Sequence, residues 1–425
     1  MSADGPPQGA NRAPSGGSAA AQVASVGDHH HRPLAGVRVL DLSRLLPGPV
    51  CTLHLADLGA DVVKVEDTGA GDYARTLGAH GGAASAFYRA VNRNKRSMAI
   101  DLKDPRGRAA FLALARTADV VVESFRPGVV DALGVGHAAL AAANPRVVLA
   151  SISGYGQDGP RAGMAGHDIN YLGYAGVLDQ TGVAGGPPAL CNLQVADLLG
   201  GAASAAIAIL AALVRAQRTG QGARIDIAMA DAALAHNIFS LHALEQRGAT
   251  LPRGEDLLTG GVPAYGVYGT SDGRWLAVGA LEDKFWQRLC ATIGREDLAG
   301  SGLATGGEGQ RVRRELEAVF AARRLAHWQR VFAAVDCCVT PVLTLDEALD
   351  DVQFASRAMV VAADGMRQYA PPFRIEGLAF EVARRAPAQG EHSVEVLREA
   401  GLAGESIDAL VAAGVVRVSG CAPAR

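Results

Sequence analysis

An α/β fold, with a large parallel-sheet domain and a smaller α+β domain, is what this 425-residue sequence predicts. Short β-branched runs alternate with helical stretches through the first half of the chain. After Arg218-Thr219-Gly220-Gln221-Gly222 the pattern changes to a hairpin followed by helices. Hydrophobic residues make up 49% of the chain and charged residues 20%. That balance and length suit a globular enzyme with a large core.

Five runs read as strands: 37–42, 61–65, 97–102, 119–122 and 146–152. One helix follows Pro47-Gly48-Pro49 and runs to residue 58. A second covers 106–118 behind Asp104-Pro105, where Asp and Pro suit a helix start. Such alternation specifies a parallel sheet covered on both faces, with ligands bound at the carboxyl ends of its strands. The apolar run 198–214 is largely Ala, Gly and aliphatic residues and falls short of the about 20 residues a membrane span needs. It predicts a buried helix packed closely on the sheet. The hairpin comprises 264–270, a turn at Ser271-Asp272-Gly273, and 274–278. Helices are expected at 283–294 and 309–335, a strand-like piece at Val339-Thr340-Pro341-Val342-Leu343, and a helical tail over 393–415. The domain reading is a disordered tail (1–32), a large domain (33–225), a small domain (226–335) and a segment returning to the large domain (336–425). The tail is rich in Gly, Ala, Ser and Pro, lacks the apolar core of a signal peptide, and closes on His29-His30-His31.

Several function classes are set aside by composition and motif. A net charge of −3 supplies no basic field for nucleic acid or an anionic membrane. The six cysteines (51, 191, 290, 337, 338 and 421) form no C-x-x-C pair or disulfide framework, which points to a reducing, cytoplasmic setting. No G-x-G-x-x-G follows the first strand, and no P-loop is present. Gly269-Thr270-Ser271-Asp272-Gly273 matches G-x-S-x-G by letter but falls in a strand–turn–strand, whereas a nucleophile elbow joins strand to helix. The histidines show no metal-ligand spacing outside the tail, so no metal is expected.

The segment Gly166-His167-Asp168-Ile169-Asn170-Tyr171, with Asp197 at the start of the apolar helix, carries the chemistry. An imidazole and a carboxylate facing each other across one carbon can remove a proton from one face and return it to the other. Structural readings compete: Asp168 capping its own helix beside a surface His167, and Asp197 as an N-cap. A carboxylate at a helix N-terminus is also held ionised by the dipole, and the neighbouring amides are placed to stabilise an oxyanion.

Three ordered segments add to this: Gly154-Tyr155-Gly156-Gln157-Asp158-Gly159-Pro160, then Ala165 through Tyr171, then Asn192-Leu193 leading to Asp197. With Leu45-Leu46-Pro47-Gly48-Pro49, Phe125-Arg126-Pro127-Gly128-Val129, Arg253-Gly254 and Val278-Gly279-Ala280-Leu281-Glu282, they resemble the family III CoA-transferase (CaiB/BaiF) superfamily. Within it the chain is most similar to the α-methylacyl-CoA racemase branch, over roughly residues 33–418. The resemblance implies a Rossmann-like CoA-binding domain and a small domain in an interlocked homodimer, with an acyl-CoA thioester bound between domains of different subunits. It implies His167 and Asp197 as the acid/base pair and Glu282 as the group that orients the imidazole. CoA is then part of the substrate, and no separate cofactor is needed. Ile100, Asp101, Leu102, Lys103, Ser124, Phe125 and Arg126 match the CoA-binding loops, with Lys103 and Arg126 toward phosphates. Gly166, Asp168, Ile169, Asn170 and Tyr171 match the thioester end. The cluster Arg93, Lys95 and Arg96 reads either as added positive field or as a solvated loop.

The chain departs from the racemase pattern at Asp67 and Ala132, where arginines are usual, and across 254–259. The function implied is racemisation of 2-methylacyl-CoA thioesters. Two alternatives stay open: CoA transfer to a free carboxylic acid with Asp197 as covalent nucleophile, and a non-catalytic CoA-binding protein.

Overall fold

The computed structural model describes residues 32–78 and 84–420. Six strands run parallel: β1 (Arg38–Asp41), β2 (Asp61–Glu66), β3 (Lys95–Ile100), β4 (Val120–Glu123), β5 (Val148–Ser153) and β6 (Ala223–Ala228). A second, three-stranded antiparallel sheet holds β7 (Tyr265–Gly269), β8 (Trp275–Gly279) and β9 (Val339–Pro341). β10 (Val360–Ala363) and β11 (Met366–Tyr369) form a hairpin. β12 (Val416–Arg417) then pairs antiparallel with β3, completing a seven-stranded sheet of order β12-β3-β2-β1-β4-β5-β6.

The period-two alternation of side chains splits the strands between two cores. Val39, Val62, Val120, Val122, Val148 and Ile152 face Cys51 and Leu55 of helix Pro47–Asp57 and Ala205 and Ile209 of the long apolar helix. Leu40, Val63, Val121 and Leu149 face Phe111 and Leu114 of helix Pro105–Ala115 together with Leu397, Ile407 and Leu410. The centre of the parallel sheet is thus covered on both faces, and its strands β1, β4 and β5 are almost wholly buried.

Several sequence expectations need correction. The stretch 309–335 is two helices, Gly306–Ala321 and Leu325–Phe332. The tail 393–415 is likewise two, Ser393–Glu399 and Gly404–Ala412, separated at Gly401 with φ +85°. β6 went unrecognised and straddles the boundary drawn at 225. β9, assigned to the segment returning to the large domain, instead completes the sheet of β7 and β8. The predicted tail lies outside the described residues apart from Arg32.

The basic cluster is neither a solvated loop nor a phosphate field. Lys95 is fully buried and donates to Pro49 O (2.9 Å), Thr52 Oγ1 (2.8 Å), Asn92 Oδ1 (2.9 Å) and Asp41 (3.1 Å). Arg93 is paired with Asp57 at 2.6 Å, and Arg96 with Asp61, Glu395 and Glu399. Lys64, also fully buried, pairs with Asp72 at 2.8 Å. Their charges are spent inside the fold.

Candidate active site

The strand order reverses at β1, since β2 flanks it on one side and β4 on the other. Ligands of open α/β sheets bind in the crevice beyond the carboxyl ends at such a point. The residues matched to CoA binding lie around that edge. Ile100 is the buried last residue of β3, and Asp101, Leu102 and the exposed Lys103 form the turn after it, closed by Lys103 N–H donating to Asp101 Oδ1 (2.9 Å). Ser124 and Phe125 follow β4, with Arg126 exposed beside them.

One residue missed from sequence joins these loops. Arg44, just past β1, donates its backbone N–H to Ser124 Oγ (3.0 Å) and its guanidinium to Asp67 (2.9 Å). That guanidinium lies 5.2 Å from the Tyr73 ring centroid and 5.4 Å from that of Phe125. A cation therefore stands next to Asp67, where the racemase pattern has an arginine, but it arrives from a different strand. Its position directly after the first strand was the available signal.

At the other end of the sheet, β5 leads through Gly154 to the loop before helix Asp168–Tyr174. A Cβ on Gly154 would lie 2.4 Å from the Tyr171 ring, and one on Gly166 2.7 Å from it, so both glycines make room for that ring. Tyr171 is buried, donates its hydroxyl to Gly166 O (2.6 Å) and meets Tyr155 edge-on at 5.2 Å. His167 occupies the N-cap position, exposed, with its backbone N–H donated to Asn170 Oδ1 (3.0 Å). Ile169 and Asn170 are exposed on the outer side of this turn.

Asp197 lies in the first turn of the apolar helix, which begins as a π-helical stretch, Ala196–Ala203, and continues as α-helix Ser204–Thr219. By length and composition alone this helix could cross a membrane; one face of it packs on β5, β6 and helix Pro47–Asp57. Leu199, Ile207 and Val214 are exposed, so the wholly buried helix expected from sequence is buried on one side. π-Helical turns recur at functional sites. Asp197 is not the N-cap. The cap is supplied from outside, by Asp168, whose Oδ1 accepts from Ala196 N (2.7 Å) and Asp197 N (3.1 Å). Asp168 thus caps the neighbouring helix as well as opening its own. Those two amides are consequently occupied and do not serve as an oxyanion hole.

Burial, then the adjacent Asp168 charge, push the half-buried Asp197 carboxyl up to about 6, while His167 pulls it down. A carboxyl poised there exchanges protons readily in either direction near neutrality. Burial and then Asp197 push the Tyr171 phenol to about 12, so it is a neutral donor.

The model of the family described as CoA-transferase family III matches residues 34–393. The chain belongs to CoA-transferase family III. It is 37% identical over 377 residues to the α-methylacyl-CoA racemase of Mus musculus, covering 88% of this chain and 95% of that protein. It is also 34% identical over 362 residues to the acetyl-CoA:oxalate CoA-transferase of Acetobacter aceti, covering 81% and 90%. Among solved structures, a CAIB/BAIF family protein from Brucella suis matches with a TM-score of 0.76 and 30% identity, covering 87% of this chain and 99% of that one. Family III relatives therefore include both a racemase and transferases.

Glu282 belongs to a different element from the other two residues in this family III chain. It precedes helix Asp283–Thr292 of the small-sheet region, exposed, and makes no side-chain hydrogen bond among the described residues. It does not act on Asp197. Among the described residues no group of three or more His, Cys, Asp or Glu side chains is placed to hold a metal ion.

Proposed function

We propose that this chain is a racemase of 2-methylacyl-CoA thioesters that works with two bases. The observation that carries the reading is the pairing of His167, at one helix start, with an Asp197 carboxyl raised to about 6 at the next. The α-proton of a thioester is weakly acidic, so its removal needs a close base whose conjugate acid can give a proton back. His167 takes the proton from one epimer while protonated Asp197 delivers one to the opposite face; in the reverse direction the roles exchange. No redox group or metal enters the proton balance. The racemase of Mus musculus, at 37% identity, supports the same choice.

In this reading the enzyme is an interlocked homodimer. A second copy would bring Glu282 to the imidazole, which one chain alone leaves without it. The exposed apolar residues Leu234, Ile238, Phe239, Leu241 and Leu244 support a second copy, since a face of that kind suits a subunit contact. The free thiols of Cys51, Cys191, Cys290, Cys337 and Cys338 suit a reducing cytoplasm.

A second reading, CoA transfer with Asp197 as nucleophile, is favoured by the Acetobacter aceti relative. One experiment separates them: incubation with a 2-methylacyl-CoA in deuterated water, with and without a free acid acceptor. Deuterium at the α-carbon without acceptor is the racemase outcome. Acyl exchange without α-deuteration overturns it, and His167→Ala should abolish deuteration while sparing a transferase.

A further inference from the structure

We infer that Asp168 is a positioning residue that sets Asp197 against His167, binding the two reacting groups into one rigid unit through a single carboxylate oxygen. The inference rests on Asp197 being a reacting group, which both readings above require.

Asp168 is the residue next to His167 and the first residue of helix Asp168–Tyr174. Its Oδ1 receives the N–H of Ala196 and of Asp197 itself. Between the imidazole-bearing residue and the Asp197 backbone there are thus only one peptide bond, one short side chain and one hydrogen bond. The near side is immobilised in turn: Asn170 Oδ1 holds His167 N, and Tyr171 is wedged by Gly154 and Gly166. The far side is packed too closely to drift, since a Cβ on Gly201 would lie 2.6 Å from Pro47 Cβ. A charged acceptor is also stronger than a neutral one at such a cap.

The same carboxylate sits close enough to Asp197 to disfavour a second negative charge. Titratable groups on the elements packed against this turn are His167, Asp168, Tyr171 and Tyr174 around helix Asp168–Tyr174; Asp231 and His236 on helix Met229–His236; and Cys51, His54 and Asp57 on helix Pro47–Asp57. Arg215 and Arg218 lie on helix Ser204–Thr219, which continues the turn of Asp197, and Arg224 and Asp226 on β6. Of these, Asp168 raises the Asp197 carboxyl and His167 lowers it.

Two variants separate geometry from charge. Asp168→Asn keeps a carbonyl acceptor for the two amides but removes the charge. Asp168→Ala removes both. Using α-deuteration (or acyl exchange, if that is the activity found), Asp168→Asn should shift the Asp197-controlled limb of the kcat profile to lower pH while KM changes little. Asp168→Ala should lower kcat by about 100-fold, the penalty for misplacing a reacting group by about an ångström. Because Asp168→Asn preserves the cap, it reads out even if Asp168→Ala does not fold. Unimpaired kcat in a folded Asp168→Ala, or an unchanged pH profile in Asp168→Asn, with Asp197→Asn inactive, overturns the inference alone. Full activity in Asp197→Asn overturns the inference together with the functional reading beneath it.

Discussion

Asp197 is costly where it stands, and the cost has a sign that can be tested. Its carboxyl titrates near 6 when folded against the usual 3.8. A pKa raised on folding means that the folded chain binds more protons between those values. Stability from the protonated form is therefore full below about 4 and lost as pH rises through about 6. Asp197→Asn should add ~1 kcal/mol of stability at pH 8, after allowing for partial exposure, and little at pH 4. Urea unfolding at the two pH values checks this, and a loss at pH 8 contradicts it. The kinetic sign follows from the same value. In the direction where Asp197 accepts the proton, the rate should fall tenfold per unit below about pH 6; in the direction where it donates, it should fall above that pH. His167 and Asp197 were legible in the sequence because both belong to an ordered local pattern. The cap role of Asp168 was not, since its partners lie on another helix.

At the level of elements, the site depends on helices that approach too closely for side chains. The π-helical stretch packs against helices Pro47–Asp57 and Met229–His236 through Gly200 and Gly201. Gly201→Ala would set a Cβ 2.6 Å from Pro47 Cβ and 3.1 Å from Met229 Sδ. The Met can move; the proline ring, tied into the first turn of its own helix, cannot. We expect a loss of about 1–3 kcal/mol and a drop in α-deuteration larger than that instability explains, because Asp197 shares the displaced turn. Chemical denaturation alongside the exchange assay measures both. Sequence patterning found this helix as an apolar run but missed its π-helical start, Ala196–Ala203, at whose end the Ser204 hydroxyl donates to Leu199 O (2.9 Å). Helix interruptions at 322–324 and 400–403 were missed for a related reason: no proline marks them, and apolar periodicity carries across a short break.

Across the whole molecule, charge is used inside the large sheet. Asp41, at the end of β1, is fully buried; burial alone would raise its carboxyl, but Lys95 and then Lys64 hold it at about 2. Its contribution is thus present above about pH 4 and lost as pH falls toward 2. Removing one partner strands the other, so Lys95→Met should cost about 3–5 kcal/mol. Adding Asp41→Asn to it should recover part of the loss, read by denaturant unfolding; a cost below ~1 kcal/mol would show that the pair is dispensable. This network joins the loops after β1 and β2 to the sheet, including Leu45, held at φ +64° with its N–H donated to Asp72. Lys95 read in sequence as part of a basic cluster, because burial of an ammonium shows only when its carboxylate partners from distant strands are in place.

By itself the sequence determined the α/β class, the parallel order of alternating strands and helices, the family, and the candidate pair His167 and Asp197. These follow from local periodicity and short ordered motifs, which need no tertiary context. Only the tertiary structure decided that Asp168 caps the helix carrying Asp197, that Arg44 stands beside Asp67, and that Lys64 and Lys95 are internal. Each of these is a contact between residues far apart in sequence, and it is the folded path of the chain that sets their distances, burial and charge.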